Sequence, residues 1–210
     1  MNERTLNRAS LRLPAVLLLA GQVLYIVVTQ FHADGVANDH PAVFAEYAGS
    51  RIWTAVHVGQ FAATAILLAG LFALFFALDA SAGTARWAGL FGAASTAVAL
   101  ALYGVVMAVD GVALKQAVNA WVSAPEVEKA ARFASAEAIR WLEWGARSYE
   151  NFALGIAVLL FAVAVAVAVA VGWTVGMPRP IAYLMGSPAS PTWRRAGWQG
   201  PTASLRRTIT

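Results

Sequence analysis

Apolar side chains gather along the chain in four long blocks, Leu13–Phe31, Ile52–Leu78, Trp87–Val109 and Asn151–Trp173. Each is close to the ~20 residues that a helix needs to cross the hydrocarbon core of a bilayer. The last block contains the run AVAVAVAVAV, which alternates with the period of a strand. Both alternating residues are apolar, so the alternation marks no face. A lone strand would leave its backbone unpaired in lipid, and the block is predicted to be helical. The first block follows Arg4, Arg8 and Arg12 but is too long for the apolar core of a signal peptide. No small-residue cleavage site follows it, so it is read as a retained span.

Two polar stretches separate the spans on one side. HADGVANDHPAVFAEYAGSR opens with turn formers and is predicted to end in a short helix from Pro41. The stretch Asp110 to Glu150 begins as a continuation of the third helix through GVALKQAVNAW. It restarts at SAPE, where Ser123 and Glu126 have capping-box spacing. Val127, Ala131, Ala134, Ala138 and Leu142 then recur at helical intervals, with Lys129, Arg132, Arg140 and Arg147 mostly elsewhere on the wheel. This predicts an amphipathic helix that lies on the outer surface and runs into the fourth span. The expected fold is all-α, an integral membrane bundle of four spans plus an outer amphipathic helix, filling residues 1–186.

Composition fixes the class. The chain is 60% hydrophobic and 12% charged, where soluble domains run nearer half and a quarter. A chain of this size cannot hide that excess in a core, so the lipid bilayer must cover it. There is no cysteine, which excludes disulfides, thiolate metal sites, iron–sulfur clusters and cysteine nucleophiles. The net charge is +4, but its distribution suits a membrane anchor rather than nucleic acid. Arg4, Arg8, Arg12, Arg86, Arg179, Arg194, Arg195, Arg206 and Arg207 all fall on one side of a four-span bundle. That side is predicted to be cytoplasmic, in a bacterial inner membrane, with the N-terminus inside. Trp87 and Trp173 would mark the inner interface. Trp53, Trp121, Trp141 and Trp144 would form the outer aromatic belt.

Residues 187–210 change character, being rich in Pro, Arg, Ser and Thr. The plain reading is a basic, disordered cytoplasmic tail. Read one nucleotide earlier, the codons for ASPTWRRAGWQGPTAS permit an apolar helix continuing PIAYLMG. On that reading the tail is a frameshifted end and the bundle has a fifth helix. The segment MPRPIAYLMG, following a long apolar helix, resembles the last connection of uncharacterised bacterial multi-pass membrane families. These carry a Pro-Arg pair before a final Gly-containing helix. LFALFFALDASAGTARWAGLFGA resembles their middle hairpin. The resemblance implies a helical membrane bundle whose final helix is missing here, and it brings no assigned activity with it.

Polar residues within the spans collect at the outer end. Trp53, His57, Gln60 and Thr64 share one helical face, as do Gln22, Tyr25 and Thr29 in the first span and Tyr103, Met107 and Asp110 in the third. Glu143, Arg147, Glu150 and Asn151 enter the fourth. The inner halves are Leu, Ala, Val and Phe, with no ionisable residue at any midplane, which argues against a pore or proton wire. The pattern predicts an outward-facing polar pocket lined by His57, Gln60, Asp110, Lys115, Glu143, Arg147 and Glu150. Arg147 and Lys115 suit a small anionic ligand or a lipid phosphate, and His57 suits proton sensing or donation. Plainer roles are also open. Gln22 and Gln60 suit hydrogen bonds between helices. Glu143 and Arg147 suit a helix ion pair, and Asp110–Gly111 suits a bend. Gly89, Gly92 and Ser95 suit close packing within the chain or in an oligomer.

The only histidines, His32, His40 and His57, map to the same end. Two imidazoles with Asp34, Asp39 or Asp110 have the donor set for zinc. His32 and His57, at adjacent helix ends, would alternatively serve as axial ligands to haem. No spacing is diagnostic, and no phosphate loop, serine elbow or nucleotide fingerprint occurs. The leading expectation is a non-enzymatic membrane protein that binds a small ligand, lipid or partner in the pocket. The alternatives are a histidine-ligated metal or haem protein, and a structural subunit of a membrane assembly.

Overall fold

A computed structural model describes residues 9–33, 35, 38–78 and 83–170. The tail, Trp173, Asp34 and the arginines at 4, 8 and beyond 170 lie outside the described residues. The described chain is all-α, with no strand among the described residues. Its helices are α1 (Arg12–Thr29), α2 (His40–Gly49), α3 (Trp53–Leu78), α4 (Gly83–Ala108), α5 (Lys115–Val122) and α6 (Glu126–Ala170). A π-helical segment, Val109–Leu114, joins α4 to α5 without a break. Four stretches are long and apolar enough to cross a membrane: α1, α3, the α4–α5 run and α6. The alternating Ala-Val run is helical through Ala170, as lipid exposure requires.

The spans pack in sequence-adjacent pairs. α3 lies along α1 on one side and α4 on the other, and α4 lies along α6. The α1–α3 pair meets through small residues. A Cβ added at Gly21 would lie 2.5 Å from the Leu67 backbone nitrogen, so the two backbones touch there. The half of the bundle away from the polar residues is closed by Leu68, Leu71, Ala93, Ala99, Phe161 and Ala164. Nothing in that floor is charged.

The stretch Asp110 to Glu150 differs from its sequence expectation. α6 is one unbroken helix of 45 residues, about 67 Å at 1.5 Å per residue and roughly twice a bilayer core. Its first half stands with α5 and α2 as a cap around Val43, Phe44, Tyr47, Leu114, Val118 and Ala136. The stripe Val127, Ala131, Ala134, Ala138 and Leu142 faces outward, with Val127 90% exposed. Phe133, Ala136 and Ile139 pack inward in its place. Alanine is so frequent here that helical spacing alone marks two faces, and the aromatic Phe133 decides between them. Nor does Ser123 form a capping box. Its hydroxyl donates to the Asn119 carbonyl at 2.9 Å and closes α5. The aromatic belt also needs correction. Trp53 is buried, and Trp121 packs against Phe44 and Phe133, so both belong to the cap's core.

α2 starts at His40, one residue before the Pro41 at which the sequence placed its start. Asp39 caps it by accepting from the Ala42 amide at 3.2 Å. Its other end is held from outside. The Lys115 ammonium donates to the carbonyls of Tyr47, Ala48 and Ser50 at 2.6, 2.8 and 2.8 Å. A cation at a helix C-terminus satisfies carbonyls that the helix itself leaves unpaired.

Candidate functional site

The site is organised by the π segment. In a π turn the carbonyls fall out of the usual helical ladder, and such turns recur at functional sites. Here α3 takes up two of them. The Trp53 indole N–H donates to the Asp110 carbonyl at 3.0 Å, and the Thr54 hydroxyl donates to the Gly111 carbonyl at 2.9 Å. Gly111 permits the approach: a Cβ there would lie 2.6 Å from the His57 Cβ. The bend anticipated at Asp110–Gly111 is therefore a widened turn that turns the Asp110 side chain toward His57.

His57 is 2% exposed and Asp110 is 3% exposed. The His57 Nδ1–H donates to the Trp53 carbonyl at 2.8 Å, which leaves Nε2 to face Asp110 Oδ2 at 3.2 Å. Nε2 makes no hydrogen bond of acceptable geometry, and Asp110 Oδ1 accepts none either. His32, just beyond α1, repeats the arrangement. Its Nδ1–H donates to the Ala33 carbonyl at 2.7 Å. Its ring lies 5.2 Å from that of His57 and 4.8 Å from that of Trp53, centroid to centroid. Burial lowers the His32 pKa, which favours the neutral imidazole. Burial likewise raises that of Tyr47 beside it and keeps the phenol protonated.

Around Asp110 stands an ion network contributed by α6. Glu143 is 1% exposed. Arg140 and Arg147, one turn on either side, both donate to it. Arg147 also donates to Asp110 Oδ2 at 3.4 Å, and Arg140 lies 3.9 Å from Asp110 Oδ1. Arg140 further stacks over the Trp144 and Tyr47 rings at 5.2 and 5.7 Å. The network opens on a cavity of about 650 Å³, lined by Tyr25, Thr29, His32, Gln60, Asp110, Arg140, Glu143 and Arg147 among others. His57 lines a separate apolar cleft of about 240 Å³ with Val58, Phe61 and Met107. The His57–Asp110 pair thus stands in the partition between a polar space and an apolar one.

Most of the expected site residues converge, though not all on the cavity. Gln60 donates to Thr29 at 3.2 Å, the helix-to-helix bond anticipated for it. Gln22 is exposed. Lys115 is occupied by the α2 carbonyls, and neither it nor Glu150 lines the cavity, although Glu150 is buried. His40 pairs with Glu137 at 2.8 Å and stacks on Phe44. Among the described residues, His32, His57 and Asp110 form a potential metal-ligand group. Sequence reasoning missed Arg140 and Tyr47. Arg140 sits seven residues before Arg147, two turns along the same face, and that spacing was the available signal. Tyr47 carried none, since its place depends on how α2 folds back.

No protein-family model, curated protein or solved structure matches the chain. The reading of the site therefore rests on its geometry.

Proposed function

We propose that this membrane-embedded protein binds a small anionic ligand, or the anionic group of a lipid, in the cavity at the polar end of its bundle. One observation carries the reading: Arg140 and Arg147 line that cavity while buried carboxylates hold them in place. A guanidinium has five N–H donors in a rigid fork. Asp110 and Glu143 occupy some of them and fix both planes. Of the others, all but the enclosed Nε of Arg140 are left to meet a carboxylate or phosphate. Gln60, Thr29, Tyr25 and Tyr47 add neutral hydrogen-bonding groups to the same walls. Two cations matched by two carboxylates explain how so many charges sit in one enclosed place. The distribution of lysine and arginine supports a reading in which this end lies outside a bacterial inner membrane, with the N-terminus cytoplasmic.

Thermal unfolding of the detergent-purified protein tests this, with small carboxylates, inorganic phosphate and anionic-lipid nanodiscs as additives. At least one should raise the Tm of the wild type. The same additive should fail on Arg140→Ala and Arg147→Ala proteins that keep their helical circular dichroism. A response to phosphate alone indicates a soluble ligand, and a response only to nanodiscs indicates a lipid. No shift with any anion, or an equal shift in both variants, would rule out the cavity as an anion site.

A further inference from the structure

We infer that His32, His57 and Asp110 bind one divalent transition-metal ion of the zinc type in the partition beside the cavity. Each residue offers one ligand atom, and the three atoms lie within 4.8 Å of one another. They come from three elements: the loop after α1, helix α3 and the π segment. Two nitrogens and one carboxylate oxygen suit zinc or ferrous iron better than calcium or magnesium, which prefer oxygen.

Four features separate this trio from a chance cluster. First, both imidazoles spend Nδ1–H on a backbone carbonyl. That contact fixes the tautomer with the lone pair on Nε2 and holds the ring, as the outer partners of metal-bound histidines do. Second, His57 Nε2 and Asp110 Oδ2 are 3.2 Å apart without hydrogen-bond alignment. Two ligands on a tetrahedral ion, with bonds of about 2.0–2.1 Å, stand about 3.4 Å apart. Third, a nine-tenths-buried residue, His57, has a nitrogen without a hydrogen bond aimed at a carboxylate whose Oδ1 also accepts none, with Arg140 no nearer to it than 3.9 Å. A neutral imidazole lone pair against a carboxylate is repulsive unless a cation lies between them. Fourth, His32 sits past the end of α1 and is only half-buried, so its ring can close the last distance without moving a helix.

The three protein ligands leave a position for a fourth, which His32 and Asp110 turn toward the cavity. The dication would add positive charge to walls whose arginines and carboxylates otherwise balance, and so favour an anion there. The inference rests on reading this end of the bundle as a binding site. Metal uptake is measured without any anion, so the two readings fail separately.

The test uses the full chain in detergent, stripped with chelator, reloaded with Zn²⁺ alone and desalted before elemental analysis. A parallel sample takes Co²⁺, whose visible absorption reports tetrahedral nitrogen and oxygen ligation. Expected is one metal per chain in the wild type and in His40→Ala. His32→Ala, His57→Ala and Asp110→Asn should lose stoichiometric metal and the cobalt bands. His32→Ala is the decisive variant, since a half-buried loop residue can change without unfolding α3. Substoichiometric metal in the wild type would overturn the site and leave a proton-bridged His57–Asp110 pair in its place. So would stoichiometric metal that survives in a folded His32→Ala protein. A Soret band on the protein as purified would also overturn it, in favour of haem.

Discussion

The Nε2 atom of His57 and the Oδ2 atom of Asp110 lie 3.2 Å apart in a place that solvent barely reaches. Asp110 serves two sets of neighbours there, the imidazole on α3 and the guanidinium groups on α6. It is the only carboxylate that joins the two helices among the described ion pairs. Removing one partner of a buried pair leaves the other charge desolvated, and costs about 3–5 kcal/mol. Asp110→Ala should therefore lower stability by about 3 kcal/mol, and Asp110→Asn by less, since an amide keeps an acceptor. Thermal unfolding in a fixed detergent measures both. A wild-type Tm for Asp110→Ala would show that the network does not hold α3 to α6.

Gly111 and Gly145 are both helical glycines, yet they should respond oppositely to alanine. At Gly111 the new Cβ would meet the His57 Cβ at 2.6 Å and its Cγ at 3.0 Å. Either α3 shifts or the π turn closes, and overpacking of this kind costs about 1–3 kcal/mol. At Gly145 nothing lies within 4 Å, so Gly145→Ala should gain up to about 1 kcal/mol from helix propensity alone. Unfolding midpoints for the two variants, side by side, decide it. Equal effects would mean that the close contact with His57 is not maintained.

How much of this could be read from the chain depends on the kind of signal. The spans were legible because lipid leaves a block of ~20 apolar residues no alternative to a helix. The gathering of His57, Gln60, Asp110, Glu143 and Arg147 at one end was legible too, since depth along a span follows from counting residues. The facing of the first half of α6 was not. Alanines at 131, 134, 136 and 138 fit either side of the helix, and burial went to the side carrying Phe133. Lys115 was read as an anion ligand because its partners are carbonyls, which sequence does not mark. The nearness of His32 to His57 was legible from their places at adjacent helix ends, whereas the choice of Asp110 among the candidate carboxylates was not, since it depends on the π turn that brings that side chain to His57.

Lys115 should behave as a structural clasp. Its three acceptors belong to the C-terminal turn of α2 and the residue beyond it. Hydrogen bonds to a charged donor contribute about 1.5–3 kcal/mol each, with losses that do not add. Lys115→Met keeps the stem and deletes the charge. It should cost about 2 kcal/mol and speed proteolysis between residues 31 and 52, while the spans stay intact. Arginine should rescue poorly, because a planar fork cannot reproduce three convergent bonds. Limited proteolysis read by mass spectrometry checks this. Unchanged cleavage in Lys115→Met would mean that α2 docks through Phe44 and Val43 alone.

Two ion pairs on α6 share the same spacing and should differ sharply in strength. Glu128–Arg132 and Glu143–Arg147 are both four residues apart. The first is about half exposed at each partner, 49% and 53%, and in water such a pair is worth about 0.3–0.5 kcal/mol. In the second, Glu143 is 1% exposed and also receives Arg140 at 3.2 Å, while Arg147 reaches on to Asp110. Its coupling should be about 1–3 kcal/mol, the range for groups sharing one buried network. Double-mutant cycles with Gln at each glutamate and Met at each arginine measure both terms. The buried cycle should shrink when Asp110→Asn is added, because Arg147 then loses its second carboxylate. The exposed cycle should not change, and its coupling should fade in high salt while the buried one persists. Equal couplings in the two cycles would reduce Glu143–Arg147 to an ordinary helix pair, and the cavity would lose its fixed guanidinium groups.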